Sequence, residues 1–212
     1  MYLPKHFDES RAEVLHELIR RHPFGALVAN TTQGLDATHV PFEIDASAGP
    51  LGTLRCHIAR ANPIWRDFGA TGQAMVLFQG PHGYVSPAWY PAKQEHGKVV
   101  PTWNYAIVHA HGTLRAIEDP VWLRGFVSRL TDRNEGARAV PWKVSDAPEE
   151  YLEKMLGAIV GLELTIERLQ GKWKLSQNRS LADQQGVVAG LASEGDATAA
   201  AMLSLMHPKS PA

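Results

Sequence analysis

The chain has 212 residues, 44% of them hydrophobic, enough for one large domain or two small ones with a sizeable core. Lys and Arg number 21 against 22 Asp and Glu, a formal net charge of -1 with no block of like charge, so there is no basic run of the kind that grips duplex phosphates. The single cysteine, Cys56, excludes an intrachain disulfide, and no stretch reaches the length needed to span a bilayer; a cytoplasmic protein without membrane contact is expected.

Asp8 is expected to cap a helix running to Arg21, with Val14, Leu15, Leu18 and Ile19 on one stripe, ended by His22-Pro23. FGALVANT (24–31) reads as a strand, 32–34 as a turn, and LDATHVPFEID (35–45) as the antiparallel partner, in which Pro41 marks an edge or a bulge. LGTLRCHIA (51–59) is a third strand. Asn62-Pro63 then opens a short helix through Phe68, since Asn caps well and Pro is tolerated at the first helical position. GQAMVLFQG and GYVSPAWY read as two strands separated by a turn at 80–83, followed by a polar loop over 91–98.

The stretch from Val99 to Ile117 is the most informative. Its period is two: Trp103, Tyr105, Ile107, His109 and His111 fall on one face, and Asn104, Ala106, Val108, Ala110 and Gly112 on the other. The small face suits the tight inside of a small barrel, and the aromatic face suits a planar ligand or a partner subunit. Asp119-Pro120 starts another helix, Asp146 caps a further one, and GLELTIERL (161–169), a turn at Gln170-Gly171 and KWKLSQ form the last strand pair. Ser180 with Asp183 resembles a capping pair, and the tail holds an alanine-rich helix over 197–206. The pattern predicts a mostly β antiparallel chain with inserted helices, organised as one barrel-type domain over 1–191 and a helical tail over 192–212.

Three clusters carry candidate chemistry. At His57-Ile58-Ala59-Arg60-Ala61-Asn62-Pro63 an Arg, an Asn and helix N-terminal amides could cradle a phosphate, unless this is an ordinary strand-helix corner. The donor-dense run from Lys172 to Arg179 could clamp an anionic or heteroaromatic ligand, or be a solvated turn. His109-x-His111 puts two imidazoles on one strand face, a spacing compatible with a metal that Glu95 or His96 would complete, though interface histidines have the same spacing. No catalytic group is assigned. No G-x-G pair, P-loop or nucleophile elbow occurs, and Cys56 reads as a buried structural thiol.

MYLPKHF, THVPFEID, LRCHIARANP, PTWNYAIVHAHG and KLSQNRSLADQQGVVAGL resemble, in this order, the PaiB-like family of FMN-binding negative transcriptional regulators, over 1–191. The resemblance implies an FMN-binding split β-barrel, as in pyridoxamine-phosphate oxidase, and a homodimer with a shared flavin cleft. It gives Thr38, His39 and Val40 to the strand along the isoalloxazine, and His57, Ala59, Arg60 and Asn62 to the phosphate and ribityl corner. Trp103, Asn104 and Tyr105 would line the cleft from the partner subunit, completed by Lys174, Gln177 and Arg179. A protein tunes FMN through a phosphate clamp, a cation near N1 and a contact at N5; Arg60, Lys174 and an amide near Val40 fit those roles. Regulation would act through DNA or a regulatory protein partner. A flavin-dependent oxidoreductase using NAD(P)H or a small substrate, and a haem- or metal-handling barrel using His39, His109 or His111, are the rival readings.

Overall fold

The computed structural model describes residues 1–68 and 72–206. They form two compact units: one from Met1–Arg21, Gln79–His109 and the chain from Gln170 onward, the other from His22–Phe78 and Ala110–Leu169. The elements in chain order are β1 (Asp8–Glu9), α1 (Ala12–Arg21), β2 (Phe24–Thr31), β3 (Gly34–Pro41), β4 (Glu43–Asp45), β5 (Thr53–Ala59) and β6 (Gln73–Val85). There follow α2 (Ala92–His96), β7 (Thr102–Ile117), α3 (Pro120–Glu135), α4 (Glu149–Gly157), β8 (Ile159–Lys174), α5 (Leu181–Glu194) and α6 (Ala197–Met206). The sheet runs β3-β2-β6-β7-β8-β5-β4, with β1 added on β8, and its path does not close.

In the second unit β2 and β3 form the expected hairpin, in register from Phe24↔Pro41 to Thr31↔Gly34. Gly34 takes the positive φ of 107° that the turn needs and that a side chain disfavours. Pro41 ends β3 at the edge of the sheet, where a missing amide costs no ladder bond. Opposite, β5 pairs β8 from Thr53↔Thr165 to Ala59↔Ile159. Leu54, Cys56 and Ile58 alternate inward there and are buried with Leu162, Leu164 and Ile166. Burial pushes the Cys56 thiol well above its ordinary range, so it is inert. Asp119 caps α3 by accepting the Val121 amide at 3.0 Å, with Pro120 at the first helical position. Leu123 of α3 and Leu152 and Leu156 of α4 then close a small core with Val144.

In the first unit Val85, Tyr90, Val187, Leu191, Ala199 and Met202 form the core that seats α5 and α6. Ser180 caps α5 by accepting the Asp183 amide at 3.2 Å. Glycines at 186 and 190 clear a path for Trp89, whose backbone and ring occupy the space a Cβ would take.

Several expectations are corrected. Asp8 lies in β1, paired with Lys172, and the helix starts at Ala12. Asp146 accepts the Lys143 amide in a 3-10 turn, and α4 starts at Glu149 without it. The helix expected to Phe68 is a 3-10 turn over Pro63–Trp65. No turn interrupts β6 at 80–83 or β8 at 170–171; both strands run through. Packing overrides the local turn preference at both places. A Cβ at Gly80 would stand 2.9 Å from Leu18 Cδ1, and one at Gly171 2.8 Å from the Glu9 carbonyl oxygen, so each glycine is where the strand is pressed closely.

Candidate functional site

The residues expected around a cofactor fall into two groups, one in each unit. In the second unit, Thr38, His39 and Val40 lie on the edge strand β3, whose outer side offers unpaired backbone groups. Asn62 Nδ2 donates to Thr38 Oγ1 at 3.4 Å, which ties the strand to the corner. The Asn62 side chain also accepts the Ile64 amide at 3.0 Å, capping the 3-10 turn. Ala59 is exposed at the end of β5. Arg60 is largely engaged: Nε donates to the Gly157 carbonyl at 2.8 Å, one terminal nitrogen to the Ile159 carbonyl at 3.1 Å, and the other to Glu118 at 2.5 Å. Two of its five N–H groups are left for a ligand. His57 is apart from these: its ring meets Phe126 of α3 edge-on at 5.8 Å, and Nδ1 is buried without a partner. Burial lowers its pKa, so it is held neutral.

The group in the first unit is denser. Alternation along β8 puts Lys172 and Lys174 on one face. Lys174 Nζ donates to Thr102 Oγ1 and to the Trp103 carbonyl, both at 2.5 Å. Burial, and then the neighbouring charges of Lys172 and Arg179, lower its pKa. Lys172 is buried, with its ammonium 5.6 Å from the Tyr105 ring centre and 3.1 Å from the Tyr2 carbonyl oxygen. The Arg179 guanidinium lies over Tyr90 at 5.1 Å. None of the three cations has an ion pair among the described residues, whereas Arg55, Arg60, Arg115 and Arg129 all have carboxylate partners. Three cations without a carboxylate, two of them over aromatic rings, are a donor set suited to an anion joined to a planar ring, and FMN is such a molecule.

Asn104 is buried and exchanges hydrogen bonds with Ser176, 2.9 Å from Nδ2 to Oγ. Ser176 holds a positive φ of 67°, a conformation rare outside glycine and asparagine. Gln177 folds back, accepting the Leu175 amide and donating to the Trp173 carbonyl, both at 2.6 Å, and so shapes the loop carrying Arg179. Trp103 is 54% exposed. Sequence reasoning names Lys172 and Ser176 only as members of the donor-dense run and leaves them out of the flavin residues; the alternation that puts Lys172 on the face of Lys174 is the signal that adds it. His111 Nδ1 is bound to Arg168 at 3.0 Å, and no cluster of potential ligands able to hold a metal occurs among the described residues. No described helix is long and apolar enough to cross a membrane.

An antiparallel eight-stranded sheet with an open path and inserted helices is the architecture of a split barrel, and this donor set suits a flavin. The FAD and Heme binding protein from Mycobacterium smegmatis has the same fold, at a TM-score of 0.59 and 19% identity over 86% of this chain and 80% of that one. Residues 1–168 match the family described as "Putative FMN-binding domain". The Bacillus subtilis "Protease synthase and sporulation protein PAI 2" is 34% identical over 99% of this chain and 98% of its own length. An uncharacterised protein of Emericella nidulans is 36% identical over 92% of both chains. The chain therefore belongs to the FMN-binding domain family, is a PaiB-like protein, and takes FMN as its cofactor.

Proposed function

We propose that this FMN-binding protein works as a cytoplasmic, homodimeric regulator that lowers transcription through a protein partner, with each flavin held in a cleft shared by two subunits. The observation that carries the reading is the uncompensated cation set of Lys172, Lys174 and Arg179. Bound FMN supplies a redox-active ring whose N1 and C2 carbonyl side gathers negative charge on reduction, and a phosphate that anchors it. In the first unit Lys174 would be the cation for that ring side, with Lys172 and Arg179 adding to the same field. In the second unit the two spare N–H groups of Arg60 would serve a phosphate, and Thr38, His39 and Val40, on the edge of β3, would offer an amide to a ring.

The dimer is supported by the apolar exposure on the hairpin of β2 and β3, where Phe24 stacks on His39 and Leu35 is 81% exposed. Action through a protein partner is favoured over direct DNA contact because the chain is neutral overall and its arginines are mostly paired with carboxylates. The name of the Bacillus subtilis relative, which speaks of protease synthesis and sporulation, is in keeping with a regulatory role.

The test is to compare wild type with Leu35→Glu for mass in solution and for FMN bound per chain. The reading expects a dimer with one FMN per chain, and a monomeric variant that has lost its flavin. A wild-type monomer that holds FMN would refute the shared cleft.

A further inference from the structure

A second pocket in the first unit, of about 340 Å³, has a different chemistry. One wall is aromatic: the His82 ring stacks on Trp103 at 6.2 Å and 30°, and Tyr84 meets Trp103 edge-on at 6.1 Å. Trp103 and Tyr84 are about half exposed, a costly arrangement for large rings that cover nothing. The lining also holds two carboxylates, Glu194 and Asp196, on either side of Gly195. Glu194 is the last residue of α5, so the carbonyl end of that 14-residue helix adds partial negative charge. Asp196 Oδ1 accepts the Ala199 amide at 2.7 Å, and this cap offsets the positive end of α6 while leaving Oδ2 for a ligand. Neither carboxylate has an ion pair among the described residues, and no lysine or arginine lines the pocket. Lys174 reaches only the backbone oxygen of Trp103.

Electron-rich rings and two uncompensated carboxylates lining one pocket are the recognition chemistry of an organic ammonium ion. We propose that this pocket binds a small protonated amine with an apolar body, whose ammonium group sits between the Trp103 and Tyr84 rings and the carboxylates of Glu194 and Asp196. The proposal rests on the flavin reading only through Trp103, which belongs to both sites. Leu191 and Trp89, which also line the pocket, provide the apolar contact that inorganic cations cannot use.

The probe is benzylammonium, titrated into the full-length protein by calorimetry, with benzoate as the matched anion and sodium as the inorganic cation. Saturable binding of benzylammonium is expected, with none of benzoate or sodium. Glu194→Gln should raise the dissociation constant about 3- to 30-fold, and Trp103→Leu by a similar factor, the range for a partly desolvated cation against a ring. Both positions are exposed, so both variants keep the fold, which circular dichroism checks. Absence of saturable binding, equal binding of benzoate, or an unchanged constant in Glu194→Gln would overturn the site. FMN retention is read separately on the same samples and should be unchanged in Glu194→Gln. Loss of flavin with amine binding intact would refute the flavin reading alone, and the reverse would refute only the amine site.

Discussion

Replacing Lys174 by Met removes the ammonium and keeps the length of the stem. In the flavin-free protein two effects oppose each other. The change deletes two hydrogen bonds from a charged donor, to Thr102 and to the Trp103 carbonyl, worth about 1.5–3 kcal/mol each at most. It also ends the burial cost of a cation and its repulsion by Lys172 and Arg179, which together hold the Lys174 pKa low. The net change in folding free energy is therefore small, within about 1 kcal/mol. With FMN bound the balance differs, because the ammonium then also donates to the N1 and C2 carbonyl side of the ring. A charged hydrogen bond of about 1.5–3 kcal/mol then disappears from the binding side, equivalent to a dissociation constant roughly 10- to 150-fold higher. Quenching of flavin fluorescence gives the affinity, and urea unfolding without FMN gives the stability. An unchanged FMN affinity, or a flavin-free variant destabilised by more than about 3 kcal/mol, would show that Lys174 is a structural strut.

Arg60→Ala should destabilise the fold by about 1–3 kcal/mol, since it strips donors from the Gly157 and Ile159 carbonyls and a partner from Glu118; unaltered urea unfolding would contradict this. Glu163 is buried between Arg55 and Arg115. Burial alone would raise its pKa, but the bonds from Arg115 and then Arg55 outweigh that and hold the carboxyl below the ordinary value. A depressed folded-state pKa gives stability that is present above the unfolded value of about 4.3 and is lost as pH falls through the lower folded value. Wild type should thus lose stability below about pH 4.3 more steeply than Glu163→Gln, and parallel acid-unfolding curves would exclude the network as the cause. Gly190→Ala drives a methyl group into the Trp89 ring; an overpacking cost of about 1–3 kcal/mol exceeds the helix-propensity gain of at most about 1 kcal/mol, so the melting temperature should fall. A higher melting temperature would contradict the packing described for α5.

Much of the fold is legible in local chemistry. The alternation of 103–112 correctly marks the small residues as the buried face of β7, and the caps at Asp119 and Ser180 mark where α3 and α5 begin. The end of the hairpin at Pro41 is legible for the same reason, since proline is restricted by its own ring. What escapes is set by distant neighbours. Gly80-Pro81-His82-Gly83 has turn composition, yet Leu18 and the Ala106 backbone crowd Gly80 and the chain stays extended. Gly171 behaves alike against Glu9, so β8 runs on through the expected turn to Lys174. For Arg60 the residue type suggests an anion clamp, and what no spacing announces is that three of its N–H groups are already held by Glu118, Gly157 and Ile159, 58, 97 and 99 positions away. The corner residue His57 is similarly decided by Phe126, whose helix covers it.

The central claim is that this chain is a flavoprotein, and the visible absorption spectrum tests it most directly. The full-length protein is mixed with excess FMN, desalted and scanned. The account predicts a retained flavin spectrum corresponding to one FMN per chain in wild type, with most of it lost in Lys174→Met. A folded wild-type protein that emerges colourless would contradict it.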